Sequence, residues 1–202
     1  MILPLDALAQ APIAVPANQS IPKKNYKTWA LFLVCDPSWL ANTANSKVNL
    51  KLLHDQFIGF GNAIGKQNAA IWFYSHDSAD AGDYDGERAS DYCAMYNLKA
   101  IESPVVVVTT HYPDVAASPG NYIKVSVNGL GSTDVYTLLG LLADQVLSGK
   151  LDQQQIDSKK YWQEWGLLLK KTLTAAGKLG HGVTVDVDTK VLKVTISGKD
   201  VS

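Results

Sequence analysis

The amino-acid sequence predicts an α/β protein, and two observations carry that prediction. Continuously apolar runs of strand length, at residues 29–34, 69–75 and 104–110, alternate with longer segments. In those segments the apolar residues recur every three or four positions, which is typical of one face of a helix. A strand covered on both faces needs a continuously apolar sequence. Strands that alternate with helices favour parallel pairing, so we expect a largely parallel sheet between helical layers.

The first half of the chain contains a proline-rich start, one strand and one helix. Residues 1–26 include four prolines with little periodicity, which predicts an extended N-terminal arm. After the strand at 29–34, residues 36–46 are rich in turn formers and predict a loop. The next segment has apolar residues at helical spacing, with His54 expected on its solvated side: Leu50, Leu53, Phe57, Phe60 and Ile64.

The second half of this region alternates strands and helices again. The strand at 69–75 is followed by an acidic loop at 76–86 and a short helix at 87–97. Pro104 opens the strand at 104–110, a place where proline is tolerated because a first strand residue need not donate to the ladder. Residues 122–127 predict a strand that can pair antiparallel with the one before it. A last helix has its apolar face at Val135, Leu138, Leu139, Leu142 and Val146.

The C-terminal segment adds further elements. Residues 152–176 predict a long helix that carries Trp162 and Trp165. Two alternating apolar runs, at 183–187 and 192–196, predict a β-hairpin. Because an isolated hairpin is marginally stable in water, we expect this segment to pack on the core. Homodimerisation through the hairpin is the alternative.

Bulk properties exclude several classes of function. The net charge is −1 and no long run of either sign is present, so neither a nucleic-acid nor a membrane-surface partner is predicted. No apolar run approaches the roughly 18 residues that membrane insertion requires. A composition rich in Asn, Ser, Thr and Gly favours an exported or periplasmic protein, and Ala9-Gln10-Ala11 has the form of a signal-peptidase site without the basic region that precedes one.

One stretch carries a family resemblance. Tyr96-Asn97-Leu98 at a helix end, a short turn, Ser103-Pro104 and then four valines resemble the cis-proline region of the thioredoxin superfamily. The resemblance covers residues 27–150 and implies a thioredoxin-like three-layer domain, between the arm at 1–26 and the packed addition at 151–202. It also implies a cis Ser103–Pro104 bond and a substrate groove beside Pro104.

Redox enzymes of this superfamily place a C-x-x-C pair after the first core strand, and this chain has none there. The equivalent residues are Cys35-Asp36-Pro37-Ser38-Trp39, and the second cysteine, Cys93, is far along the chain. We therefore expect a redox-inactive protein-binding module, whose partner the sequence does not identify. The groove is predicted to include Asp36, Trp39, His76, Ser103 and Pro104.

The alternative function is a monothiol oxidoreductase. Cys35 would be its nucleophile, with Ser38 in place of the resolving thiol of a C-x-x-C pair. Two separate buried thiols, Cys35 and Cys93, are favoured over a disulfide, because unpaired cysteines are commonly buried. No cofactor is predicted, and no metal site either, since the acidic loop lacks the calcium-loop spacing and no short-spaced ligand pairs are present.

Overall fold

The computed structural model describes residues 13–16, 19–23, 25–41, 43–75, 83–119, 122–128, 130–148, 182–187 and 191–197. The described strands are β1 Ile13–Pro16, β2 Trp29–Leu33, β3 Ala69–Tyr74, β4 Val105–Thr109, β5 Tyr122–Ser126, β6 Gly182–Val187 and β7 Val191–Ser197. The described α-helices are α1 Pro37–Ala41, α2 Thr43–Ile64, α3 Gly86–Met95 and α4 Ser132–Leu147. A 3-10 turn, Ala100–Glu102, precedes β4.

The strands form one mixed sheet in the order β1-β3-β2-β4-β5-β7-β6. The β1/β3, β2/β3 and β5/β7 pairs are parallel, whereas β2/β4, β4/β5 and β6/β7 are antiparallel. The predicted α/β class is therefore confirmed. The three strands of the first half do not all run parallel, however, because β4 begins where β2 ends, with Val105 paired to Leu33.

The reversed direction of β4 results from the connection between α3 and β4, which runs along β5 before it enters β4. The Tyr122 hydroxyl, at the start of β5, donates to the Tyr96 carbonyl just after α3. The Ser126 hydroxyl, at the end of β5, donates to the Glu102 carbonyl. The chain thus travels the length of β5 between residues 96 and 102 and enters β4 from the opposite end.

The predicted N-terminal arm contains a strand of the sheet. β1 pairs in parallel with β3, with Ile13 opposite Ile71. The Arg88 guanidinium donates to the carbonyl of Pro16 at 2.8 Å and lies over the Phe73 ring, which fixes the end of β1. An arm without periodicity can still provide an edge strand, since an edge strand is short and is paired on one side only.

Helices cover both faces of the sheet. Phe32 stacks on Trp72, and both rings contact Phe57 of α2. On the other side Phe73 stacks on Tyr92 of α3, with ring centroids 5.0 Å apart. Because successive strand residues point to opposite faces, α2 and α3 lie on opposite sides of the sheet. α4 packs beside α2.

The apolar stripe of α2 is confirmed, but the helix starts earlier than the sequence predicts. Its five stripe residues are all buried. The predicted loop at 36–46 is wrong, because α1 and the first residues of α2 occupy it. The Asp36 carboxylate accepts hydrogen bonds from the amide and the hydroxyl of Ser38 and thereby caps α1. Pro37 suits the first helical position, where no intrahelical N–H is needed.

His54 is buried, so its predicted solvated position is wrong. Its Nε2 lies 2.6 Å from the Tyr74 hydroxyl, and its ring meets Trp72 edge-on at 4.8 Å. The reason is helical spacing, since residue 54 lies four positions after Leu50 and three before Phe57. The hydrogen bond to Tyr74 offsets part of the cost of burying the imidazole.

The strands β6 and β7 extend the sheet beyond β5. Tyr122 is in register with Val191, and β6 pairs with β7 along its whole length. The predicted helix at 152–176, with Trp162 and Trp165, lies outside the described residues. The division of the chain into arm, domain and C-terminal addition stays a prediction.

Candidate functional site

A groove of about 380 Å³ opens at the end of the sheet where β2 and β5 end and β4 begins. α1, α2, the start of β4 and the turn into α4 each contribute residues to it. We call it the Trp39 groove. It is lined by Trp39, Leu52, Leu53, Gln56, Pro104, Val127, Asn128, Leu130, Gly131, Ser132 and Val135.

Trp39 reaches the groove from α1, a helix of five residues that is held by its neighbours. Asp36 caps the helix, and the Trp39 amide donates to the Asp36 carbonyl at 3.1 Å. Leu40 packs against the first residue of α3, Gly86, so closely that a Cβ at residue 86 would collide with the Leu40 side chain. The position of Trp39 therefore depends on contacts between α1 and α3 as well as on the cap.

Pro104 is buried, lines the same groove as Trp39 and is held from two sides. The Ser103–Pro104 peptide bond is cis. The Pro104 carbonyl accepts from the Val127 amide at 2.9 Å, which joins it to the residue after β5. The Ser103 hydroxyl accepts from the Cys35 amide at 2.8 Å, which joins it to the end of β2. These bonds set the width of the groove between the ends of β2 and β5.

Cys35 and Cys93 form a disulfide, with their Cα atoms 5.7 Å apart. The expectation of two separate thiols is therefore wrong. α3 turns Cys93 toward the interior, next to Tyr92 and Ala89, and this buried face lies close to the end of β2. Since the chain has two cysteines, neither is a free thiol in this structure.

The end of β2 is further positioned by Tyr84. Its hydroxyl accepts from the Val34 amide at 3.0 Å and donates to the Phe32 carbonyl at 2.9 Å. Burial raises the pKa of Tyr84 strongly, because the phenolate would lose its hydration. The hydroxyl thus stays protonated and bridges the last residues before Cys35.

The predicted groove residues divide into three groups. Trp39 and Pro104 line the same groove. Asp36 and Ser103 support them, through the α1 cap and the bond to Cys35. His76 lies outside the described residues. Ser38, the residue predicted in place of a resolving thiol in the alternative function, donates its hydroxyl to the Asp36 carboxylate at 2.7 Å.

Sequence reasoning did not identify Gln56, which lies on α2 at the rim of the groove. Its amide nitrogen donates to the carbonyl and the hydroxyl of Ser132, at 2.8 and 2.9 Å. Its Oε1 is buried and has no hydrogen-bond partner. The sequence signal that points to Gln56 is its place directly before Phe57, where a polar residue stands at the edge of the apolar stripe.

Among the residues that the structure describes, those lining the groove carry no charged side chain. Apolar side chains with a few amide and hydroxyl groups favour binding by contact and hydrogen bonding. Within the described ranges, no cluster of three His, Cys, Asp or Glu side chains could hold a metal ion. None of the helices in the described part of the chain is long and apolar enough to cross a membrane.

The fold and the groove define an α/β protein with a mixed sheet and, at one end of that sheet, a groove whose described lining residues are uncharged. Comparison with protein-family models, curated proteins and solved structures found no match to this chain.

Proposed function

We propose that this chain is a redox-inactive, thioredoxin-like protein-binding module whose Trp39 groove binds a segment of a protein partner. One observation carries the proposal. Trp39 and Pro104, distant in the sequence, line the same uncharged groove, while both cysteines are paired with each other. The site thus presents an aromatic contact surface without a free thiol.

The thioredoxin-like part of the proposal is supported by strand order and by the position of a proline. The segment β1-β3-β2-β4-β5, with β4 and β5 antiparallel, is similar to the arrangement of that superfamily. Helices cover both faces, and Pro104 precedes β4 beside the groove. Since a fold does not by itself determine a function, the binding role is supported by the groove instead.

The chemistry of the groove favours an uncharged, partly apolar peptide segment. A half-buried tryptophan is a frequent anchor of protein interfaces, because it offers a large rigid surface at low entropic cost. Leu52 beside it is 40% exposed. Gln56 lines the groove and donates its amide nitrogen to Ser132, which holds the start of α4 beside the groove.

The test is selection from a library of displayed peptides on the wild-type chain, followed by affinity measurement on two variants. Trp39→Ala removes the anchor and is expected to weaken selected peptides about ten-fold or more. Tyr136→Ala is the matched control, since Tyr136 is an aromatic residue on α4 that is 71% exposed and lies outside the Trp39 groove. Peptides that bind Trp39→Ala as tightly as the wild type would refute the groove as the site.

The alternative function is a monothiol oxidoreductase that uses Cys35, and one observation favours it. Cys35 is partly exposed whereas Cys93 is buried, so an incoming thiolate has better access to the Cys35 sulfur. The test is a thiol titration of the Cys93→Ser variant. A Cys35 pKa well below the ordinary value of about 8.5, with a mixed disulfide to glutathione, would support the enzyme. A Cys35 thiol that reacts only after denaturation would eliminate it.

Two further parts of the proposal concern location and self-association. A disulfide persists in oxidising compartments, which supports an exported or periplasmic protein.

In the described part of the sheet β6 is an outermost strand, and such edges can pair with another sheet. Homodimerisation through the hairpin is the alternative to a foreign partner. Sedimentation of the isolated chain separates the two, because only self-association makes the mass depend on concentration.

A further inference from the structure

The short helix α1 is attached to the rest of the molecule near Cys35. A helix of five residues is too short to be stable by itself, so its position depends on its contacts. Two of these contacts are with α3. Leu40 packs on Gly86, and Cys93, two helical turns after Gly86, holds Cys35 covalently.

Cys35 connects three parts of the groove. Its side chain is bonded to α3, its amide donates to the Ser103 hydroxyl, and Asp36 after it caps α1. Trp39 follows within one helical turn of Asp36. Two lining residues of the groove are thus close in the chain to bonds made by Cys35. Trp39 lies four residues after Cys35, and Pro104 follows the Ser103 that accepts from the Cys35 amide.

We propose that the Cys35–Cys93 disulfide is a redox-controlled clamp on the Trp39 groove, which holds Trp39 in place when oxidised and releases it when reduced by a dithiol. The consequence for binding rests on the proposed function, whereas the movement of α1 does not. Reduction removes the covalent link between Cys35, just before α1, and α3, and leaves α1 held by the Leu40 contact with Gly86 and by non-covalent packing beside α2. The sheet itself is held by buried apolar residues from β2, β3 and β4 and remains folded.

The reducing step is an ordinary thiol–disulfide exchange. One thiolate of the external dithiol attacks the Cys35 sulfur, the Cys35–Cys93 bond breaks, and Cys93 leaves as a thiolate that takes up a proton. The second thiol of the reductant, as its thiolate, then attacks the mixed disulfide and releases Cys35. The protein gains two electrons and two protons, and the dithiol becomes a disulfide.

The experiment measures amide hydrogen exchange by NMR in the oxidised chain and after titration with dithiothreitol. The amide of Trp39, which is bonded to the Asp36 carbonyl, is expected to exchange about ten-fold faster after reduction. The backbone chemical shifts of Val106 and Val107, in the centre of the sheet, are expected to stay unchanged, because the sheet keeps its structure. Re-oxidation is expected to restore the slow exchange at Trp39.

The Cys35→Ser/Cys93→Ser double variant is the control, since it contains no cysteine. It is expected to match the reduced wild type without reductant and not to respond to dithiothreitol. Equal Trp39 exchange in both redox states would overturn the clamp. Loss of the native chemical shifts of Val106 on reduction would also overturn it, because the disulfide would then hold the whole domain. If the double variant does not fold, the wild-type titration alone decides between these outcomes.

No ligand is needed for this readout, so its failure leaves the peptide-binding proposal untouched. Failure of the peptide selection likewise leaves the clamp untouched. If the clamp and the peptide-binding proposal both hold, selected peptides are expected to bind the reduced chain about ten-fold more weakly than the oxidised chain. Equal affinity in both states would show that release of α1 does not reach the groove, which contradicts the clamp.

Discussion

Two regions of the molecule, the face of β2 and β3 under α2 and the end of β2, differ in what holds them together. Under α2, Phe32, Phe57 and Trp72 pack ring against ring, and the polar pair of His54 and Tyr74 is buried beside them. At the end of β2 the contacts are directional instead, made by the Cys35 disulfide and the Ser103 hydroxyl. Apolar packing provides stability without fixing one atom, whereas bonds at a groove fix the positions of particular side chains.

The largest expected effect is on the packed side. Phe57→Ala removes a fully buried ring that touches Phe32, Phe60 and Trp72. It is expected to lower the free energy of unfolding by about 3–5 kcal/mol through lost burial and a residual cavity. Chemical denaturation measures this, with the exposed Asp55→Ala on the same helix as control. A loss below about 1 kcal/mol would mean that the cluster is not the core.

At the end of β2, loss of the disulfide is expected to have the next largest effect. The Cys35→Ser/Cys93→Ser variant loses a cross-link between residues 58 positions apart. Because the unfolded chain regains that loop freedom, the free energy of unfolding is expected to fall by about 2–4 kcal/mol. Denaturation of the oxidised wild type, the reduced wild type and the variant compares them directly. Agreement of the variant with the oxidised form would exclude this stabilisation.

Tyr84 lies between the two regions, since its ring contacts Trp72 and its hydroxyl bridges the end of β2. Burial raises its pKa in the folded state, so the unfolded chain releases this proton first as the pH rises. Its contribution to stability is therefore complete below the unfolded pKa of about 10 and is lost as the pH rises above it.

The measurement is denaturation of the wild type and Tyr84→Phe between neutral and strongly alkaline pH. At neutral pH the variant is expected to lose about 1–3 kcal/mol, because the Val34 amide and the Phe32 carbonyl lose a partner. Its stability is expected to fall less steeply above pH ~10 than that of the wild type. Identical alkaline slopes would show that Tyr84 does not govern this loss.

The smallest expected effect concerns the cap of α1. Asp36→Ala removes the carboxylate that accepts from the Ser38 amide, and is expected to cost about 1 kcal/mol. Because this loss is local, the hydrogen-exchange rate at Trp39 is expected to rise by a larger factor than the rate at Val106, which lies in the centre of the sheet. Asp144→Ala, on the exposed face of α4, is the control. A change at Val106 as large as that at Trp39 would contradict a local role.

Local pattern accounts for much of the fold. Four consecutive valines after Pro104 predict a strand covered on both faces, and Val105–Thr109 is buried throughout. The stripe from Leu50 to Ile64 predicts the buried face of α2, and all five of its residues are buried. The same pattern includes His54. A polar side chain at a stripe position does not indicate which hydroxyl it bonds in the folded protein. The hydrogen-bond partner, Tyr74, lies on another element.

The site was accessible from sequence only in part. The resemblance around Pro104, together with the loop after β2, indicated that Trp39 and Pro104 belong to one groove, and the structure brings them together. Gln56, Leu130 and Ser132 could not be placed there, since they come from α2 and the start of α4. Which helix residue faces a neighbouring element depends on how the two helices pack.

The sequence by itself determined which segments are apolar enough to form the sheet and the helix faces, because burial follows the local period of apolar residues. Only the tertiary structure decided that Cys35 pairs with Cys93, that β4 runs opposite to β2, and that residues 13–16 form a strand. Each of these depends on the distance between residues far apart in the chain, such as the 5.7 Å between the two cysteine Cα atoms. Local periodicity contains no information about such distances, which arise when the elements pack.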